Sequence, residues 1–418
     1  MLTCEQTLLY ETKTDENNEF VIKADVDEIK MAQIAVDLER VDILLRPDSS
    51  YDIEITIPDQ ENDVSYFERQ NPSMKMIDSN DDGLYYQYCM SEMIIDDFLL
   101  NNFNRLYKGR QSSLLDTLDA KINSVLGSVK SDYVSNNVRY KKAAIYMMIN
   151  SGNTKRVVNQ YFNQQDILYS NLAYMNLFYE VFADYLSSHN FNPSDINNLF
   201  NYEYDRFLTY LKEKDVFLSD NSELAEIIIA LNLKRMYYEN PNERNVIMDY
   251  LDCIVHGSKN QRNRKLVSDM VKQIKRLSFN SDAPAFSLKD KSGKMVELAD
   301  YKDDILVLQF VDQYSTLLDY QFEALKELSC QWQDSVVILT VATKNGYEEY
   351  KQIFDDKGFE WNLLNLDDEF LLLEKYQIKT FPDYVILGKN GKIGMAPAPA
   401  PDQYLDYHVR RIFKYYKK

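Results

Sequence analysis

Ile305-Leu306-Val307-Leu308-Gln309-Phe310-Val311 and, one helix's length further on, Val336-Val337-Ile338-Leu339-Thr340-Val341 are apolar runs with one polar residue in each. Strands that have one face in water alternate apolar and polar residues, whereas continuous runs suit strands covered on both faces, as in parallel sheets. Residues 320–333 between the runs have helical spacing, so the three segments read as a βαβ unit. Downstream, residues 347–355 and 369–376 are helix-like and Tyr384-Val385-Ile386-Leu387 is strand-like. Gly388-Lys389-Asn390-Gly391 then turns the chain into Lys392-Ile393-Gly394-Met395, a hairpin, and an amphipathic stretch at 404–416 closes the chain. The predicted order is β-α-β-α-β-β-α.

Upstream the periodicity differs. Residues 34–38, 41–45 and 51–57 are apolar or alternating, and Arg46-Pro47-Asp48-Ser49-Ser50 between the last two is turn chemistry, which predicts a β-hairpin joining 41–45 to 51–57 and ended by Pro58. From about residue 85 the spacing is helical. Leu115, Leu118, Ile122 and Val125 form one stripe and Leu224, Ile227, Ile228 and Leu231 another, with Asp220 placed to cap the second. Breaks at 151–153, 192–194 and 240–242 divide the stretch into helices, with no fixed repeat. The fold class is therefore α+β multidomain: a small antiparallel β-domain (1–70), an all-α middle (85–278) and a C-terminal α/β domain (281–418).

Composition narrows the chemistry. The 418 residues include 45% hydrophobic and 27% charged side chains, which suits a globular chain. A formal net charge of −19 disfavours gripping nucleic acid or an anionic membrane through a general basic surface. No run is long and apolar enough to span a bilayer. The cysteines Cys4, Cys89, Cys253 and Cys330 form no CxxC, and the histidines His189, His256 and His408 form no HxxxH or HExxH, so neither a metal nor a cofactor is expected. Asp78-Ser79-Asn80-Asp81-Asp82-Gly83 is shaped like the start of a calcium loop but lacks the glutamate at its twelfth position, which is Cys89. The 32 tyrosines, many in the helical stretch, are expected to supply core area with a hydrogen-bonded hydroxyl.

Ala283-Pro284-Ala285-Phe286-Ser287-Leu288-Lys289-Asp290 followed by Ser292-Gly293-Lys294, the strand at 305–310, and Lys375-Tyr376-Gln377-Ile378-Lys379-Thr380-Phe381-Pro382 before Tyr384 resemble, in order and spacing, the thioredoxin-like domains of the TlpA/ResA type, redoxins of the Bacteroidota envelope among them. The resemblance covers about residues 281–418 and implies a thioredoxin fold, thiol–disulfide oxidoreductase ancestry and a cis-proline at Pro382. It also implies a WCxxC motif after the first core strand. Set on this chain, that motif places Tyr314 at the tryptophan, Ser315 at the first cysteine and Leu318 at the second. A serine hydroxyl titrates far above neutral and forms no disulfide, so dithiol exchange at these positions is excluded.

The degenerate pair Ser315 and Leu318 therefore carries no catalytic assignment, and Ser315 is expected to cap the following helix. The surface around Tyr314, Ser315, Phe381 and Pro382 is the candidate for holding an extended peptide or protein partner. The competing expectation is an oxidoreductase or peroxidase-like enzyme acting through Cys330 or a partner's thiol, with Cys330 otherwise a small buried hydrophobe. Residues 396–401, alternating Ala and Pro, read as a stiff polyproline connector. Residues 3–20 and 46–51 loosely resemble the β-domain that precedes such redoxin domains. Those relatives are exported, so periplasm or cell envelope is the expected location, with an N-terminus that starts late.

Overall fold

The computed structural model describes residues 8–36, 39–58, 71–127, 131–150, 154–187, 191–332, 336–367 and 369–417. Cys4, His189, the break at 151–153 and the end of the 34–38 run lie outside the described residues. The chain divides into two compact units, Met1–Val271 and Lys272–Lys418.

In the first unit, β1 (Lys30–Val36) pairs antiparallel with β2 (Glu39–Leu45), and β3 (Tyr51–Thr56) with β4 (Ser73–Ser79). These are separate two-stranded sheets. The hairpin predicted between 41–45 and 51–57 is thus corrected: the turn at 46–50 joins two sheets. Asp48 takes a left-handed φ of 56°, the Arg46 N–H donates to the Tyr51 hydroxyl (2.9 Å), and Ser50 exchanges hydrogen bonds with Asn80, to its Oδ1 (2.6 Å) and from its N–H (3.2 Å). The exit of the turn is held by the chain beyond β4 rather than by β2.

The helical stretch comprises α1 (Leu84–Phe103), a π-helical turn at Asn104–Lys108, α2 (Leu114–Leu126), α3 (Asp132–Ile149), α4 (Thr154–Tyr161), α5 (Leu172–Phe182), α6 (Pro193–Leu199), α7 (Tyr204–Lys214), α8 (Val216–Asp220), α9 (Ser222–Glu239), α10 (Arg244–Gly257) and α11 (Gln261–Arg276). Leu44 of β2 sits in one apolar cluster with Ile94, Ile95 and Phe98 of α1, Leu118 and Ile122 of α2 and Val138 of α3, so the N-terminal strands share a core with the helices. Val125 is exposed, and the α2 stripe continues instead through Leu126, which packs against the same cluster. Asp220 does not cap α9. It closes α8, and Asn221 takes the N-cap position with its side chain turned to Gln164 and Asn163. Around Phe162 the rings of Tyr140, Tyr174, Phe178 and Phe182 pack within 6.3 Å, mostly edge to face. Their neighbours keep polar ends satisfied: the hydroxyl of Tyr140 donates to the Tyr161 carbonyl (3.0 Å) and that of Tyr185 to Asp215 (2.8 Å).

The second unit is a seven-stranded mixed sheet in the order β11-β10-β7-β8-β9-β5-β6. Its strands are β5 (Ser287–Asp290), β6 (Met295–Glu297), β7 (Ile305–Val311), β8 (Val336–Ala342), β9 (Asn362–Asn365), β10 (Asp383–Gly388) and β11 (Lys392–Ala398), with α12 (Thr316–Trp332), α13 (Lys344–Lys357), α14 (Leu371–Lys375) and α15 (Leu405–Tyr416). β7, β8 and β9 are parallel, and β10 runs antiparallel to β7 and β11 to β10. Every residue of β7 is buried, as its unbroken apolar run requires. On one face Ile305 and Val307 pack with Leu325 and Trp332 of α12 and Val409 and Ile412 of α15, and Val311 with Leu318, Phe322, Tyr350 and Phe354. α15 lies so close that a Cβ on Gly388 would come within 2.0 Å of the Tyr416 ring. The polyproline reading of 396–401 is corrected, because residues 396–398 extend β11 and Ala398 pairs with Tyr384. Among the described residues no helix is long and apolar enough to cross a membrane.

Candidate functional site

Register brings the expected residues to one end of the sheet. Phe310 and Val311 end β7 opposite Asp383 of β10 and Ala342 of β8, so residues 312–315 and the pair Phe381-Pro382 both leave the sheet where its parallel strands terminate at their carboxyl ends. Loops at that end carry ligands in open α/β sheets generally. The Phe381–Pro382 peptide bond is cis. Ser315 is exposed just before α12, its carbonyl accepting from the Leu318 N–H (2.9 Å). Leu318 is 3% exposed and packs against Val311, Phe322, Tyr347 and Tyr350.

The loop is pinned on two sides. Thr343 donates from its backbone to the Val311 carbonyl (3.0 Å) and from its hydroxyl to Asp312 (2.5 Å). A Cβ on Gly346 would meet the Asp312 carbonyl oxygen at 2.0 Å, so only glycine lets α13 approach this closely. Tyr314 stacks edge-on against Tyr350 with centroids 5.9 Å apart. Burial, then a hydrogen bond to Asp319 and its charge, push the Tyr314 phenol up to about 12. Lys357, then Tyr314, hold the Asp319 carboxyl below its usual range. Tyr314 is therefore a neutral donor at physiological pH, and the loop presents no sulfur.

Sequence reasoning missed a buried polar chain beneath this loop. The Trp361 indole N–H donates to Thr340 Oγ1 (3.0 Å), Thr340 to Gln309 Oε1 (2.8 Å), Gln309 Nε2 to the Tyr384 hydroxyl (3.1 Å), and that hydroxyl to Gln321 Oε1 (2.8 Å). Gln309 and Thr340 are fully buried, and Tyr384 and Gln321 are 2% and 9% exposed. The signal was present, because Gln309 and Thr340 are the polar residues in two apolar runs, and Tyr384, Gln309 and Thr340 are register neighbours across β10, β7 and β8. Tyr350 is fully buried, and among the described residues its hydroxyl has no hydrogen-bond partner.

A shallow apolar cavity of about 660 Å³ is lined by Met395, Pro397, Ala398, Pro399, Tyr404 and Tyr407 among others. The cavity lies between the edge strand β11 and α15, and Tyr314, Ser315, Phe381 and Pro382 are not among its lining. Cys330 is exposed, which corrects its expected burial: the helix turns Leu328 towards the core and Cys330 to solvent. At a rise of about 1.5 Å per residue it stands roughly 22 Å along α12 from Ser315. Burial and the acids Asp205, Asp249, Glu203 and Asp252 push the Cys253 thiol up. The acidic run before α1 is a helix start. Asp81, fully buried, accepts from Ser79 Oγ and from the Gly83 and Tyr85 N–H groups, which satisfies it without a cation. Among the described residues no cluster of three or more His, Cys, Asp or Glu side chains could hold a metal.

Residues 279–396 match the AhpC/TSA family. No curated protein matches the chain. Among solved structures the chain is similar to the thioredoxin domain of a thiol-disulfide oxidoreductase from Bacteroides vulgatus, 24% identical over 32% of this chain and 99% of that one, with a TM-score of 0.30. It is also similar to a thiol:disulfide interchange protein from Bacteroides sp., 23% identical over 33% of this chain and 91% of that one, TM-score 0.30. A third likeness is to an exposed lipoprotein thioredoxin from Streptococcus pneumoniae, 23% identical over 30% and 99% of the two chains, TM-score 0.26. The C-terminal unit is thus a thioredoxin-like redoxin domain, carried behind small antiparallel sheets and a helical region.

Proposed function

We propose that this is an envelope protein, organised as 1–70, 85–278 and 281–418, whose redoxin domain has lost its dithiol and holds an extended peptide or protein partner without redox chemistry. The observation that carries the reading is the environment of Leu318. At the second of the two positions where the resemblance puts sulfur, the side chain is apolar and buried among Val311, Phe322, Tyr347 and Tyr350. A buried leucine beside an exposed serine can neither form nor resolve a mixed disulfide. That the segment with Tyr314 and Ser315 and the pair Phe381-Pro382 leave the sheet at the same end supports a docking role for these four residues.

Exposure of Cys330 keeps an oxidoreductase reading in play. Insulin reduction with dithiothreitol separates the two. No activity above a Cys330→Ser control is expected, and turnover that disappears in that variant would overturn the binding reading. On the positive side, an unstructured peptide library should be retained by the wild type. Phe381→Ala and Pro382→Ala should each weaken retention about tenfold or more with the tryptophan emission unchanged, and indifference to both would count against docking here.

A further inference from the structure

The cations of this acidic chain are not spread evenly. Residues 98–165 carry ten Lys and Arg against three Asp and no Glu, in a chain whose net charge is −19. The helices of that stretch bring many of these cations to one end. α1 and α3 run side by side in the same direction, because Tyr88 packs on Tyr133 and both Asn137 and Lys141 reach Glu92. The π-helical turn after α1 packs against α3, and Arg156, in the first turn of α4, folds back over the Tyr146 ring of α3 at 5.4 Å. Arg105, Lys108 and Arg110, from the π-helical turn and its exit, therefore share one end of the helices with Lys155 and Arg156 of α4, and all five are exposed.

The neighbouring acids do not cancel this charge. Glu92, Asp97 and Asp119 lie against Lys141, Lys121 and Lys142, and Asp132 opens α3 at its opposite end. Asp116, in the first turn of α2, is the acid left beside five cations that form no ion pair among the described residues. The helix dipole favours Arg105 and Lys108 after α1, but it disfavours Lys155 and Arg156 at the start of α4, so helix stability does not explain the set. Beside the cations Leu100, Phe103 and Tyr107 are 82%, 51% and 55% exposed, and the two rings stack with centroids 5.4 Å apart. Spacings of three and four residues put these three on one side of the helix, in a strip that exposed Asp96 ends one turn back. Cations flanking exposed rings and a leucine suit the boundary between anionic headgroups and acyl chains. A nucleic acid or an acidic polypeptide would satisfy the cations but offer Leu100 nothing apolar to enter. The acids elsewhere in the chain exclude a general basic surface, not a local one, because salt at about 0.15 M screens charges beyond about 8 Å.

We propose that this end of the helical region docks on the surface of an anionic phospholipid bilayer. Arg105, Lys108, Arg110, Lys155 and Arg156 then lie among the headgroups, and Leu100, Phe103 and Tyr107 at the acyl boundary. Cosedimentation of the full chain with vesicles tests it. The wild type is expected to pellet with vesicles of about 30% phosphatidylglycerol at about 0.1 M salt, and at least about tenfold less with pure phosphatidylcholine or at about 0.5 M salt. One cation near such a surface changes partitioning about fivefold, so Arg105→Glu/Lys108→Glu/Arg110→Glu should weaken binding at least about 100-fold with unchanged far-ultraviolet circular dichroism. Lys155→Glu/Arg156→Glu, on a separate helix, should weaken it at least about 25-fold and carries the test if the first variant unfolds. Phe103→Ser/Tyr107→Ser should weaken it about tenfold and leave the salt dependence in place. Lys289→Glu/Lys294→Glu, at exposed positions of the C-terminal unit, should cost less than about threefold. A wild type that ignores anionic vesicles at about 1 mM lipid, or binds both kinds equally, would overturn the proposal. So would charge reversals indistinguishable from the Lys289→Glu/Lys294→Glu control, or retention by an oligonucleotide or an acidic polypeptide in place of vesicles.

Discussion

Removing one oxygen atom from either of two buried tyrosines in the C-terminal unit should change stability in opposite directions. The Tyr384 hydroxyl accepts from Gln309 and donates to Gln321, so Tyr384→Phe strands a buried amide donor and a buried amide acceptor. Each orphaned group costs about 1–3 kcal/mol, which makes about 2–6 kcal/mol in all. The Tyr350 hydroxyl is equally buried and has no partner among the described residues, so Tyr350→Phe releases a desolvation cost and should be neutral or stabilising by up to about 2 kcal/mol. The assay needs no label, because both tryptophans, Trp332 and Trp361, belong to the C-terminal unit and Trp361 is itself part of the polar chain. With a urea m-value of about 2 kcal/mol/M, Tyr384→Phe should lower the midpoint of the tryptophan transition by about 1–3 M, while Tyr350→Phe holds or raises it. Equal midpoints, or a larger loss in Tyr350→Phe, would refute the assignment of one hydroxyl as satisfied and the other as orphaned.

Gly346→Ala should destabilise the same transition by about 3 kcal/mol, since its new methyl meets a backbone carbonyl rather than a mobile side chain; a loss below about 1 kcal/mol would show that α13 can retreat from Asp312. Burial raises the Asp383 carboxyl above its ordinary 3.8, partly offset by the Tyr384 N–H. The folded state therefore holds its proton more tightly than the unfolded chain. The stability that this proton contributes is complete below the unfolded pKa and is lost as pH rises through the folded one. Measured against Asp383→Asn, the wild type should lose ground steadily over that window, and parallel pH profiles would contradict it. Ser315→Cys/Leu318→Cys should raise insulin reductase activity measurably above that of the wild type; a folded double variant with no such gain would argue that this loop is not equivalent to the redoxin active site.

The central strands were legible because burial on both faces leaves no freedom in composition, so Ile305–Val311 and Val336–Ala342 announce themselves. β9 was not, since Asn362-Leu363-Leu364-Asn365 offers only two apolar residues and exists as a strand because β8 and β5 pair with it. The turn at 46–50 was recognisable as a turn, but its partners were not, because the residue that fixes it, Asn80, is thirty positions from Ser50. Asp220 shows the same limit at short range: two adjacent caps compete, and the α8–α9 junction is decided by contacts with Gln164 and Asn163. At the candidate site, order and spacing placed Tyr314, Ser315 and Pro382. The residues that brace Asp312, Tyr314 and Asp319, namely Thr343, Gly346, Tyr350 and Lys357, come from a different helix and its lead-in, and no local pattern names them.

The row Tyr384, Gln309 and Thr340 also acts as an alignment key. An apolar sheet buried on both faces gains nearly the same hydrophobic energy in several pairings, and β10 could slide by two residues along β7 while keeping its inward face. A slide of that size would set the Tyr384 hydroxyl against Val307 or Val311 in place of Gln309. Gln309 Nε2 and Gln321 Oε1 would then lose the hydroxyl that joins them in a water-free interior. Only one alignment joins every link from Trp361 to Gln321, and that same alignment fixes where β10 begins. The few polar atoms in this sheet thus fix, at a distance, how far Pro382 projects from the end of the sheet.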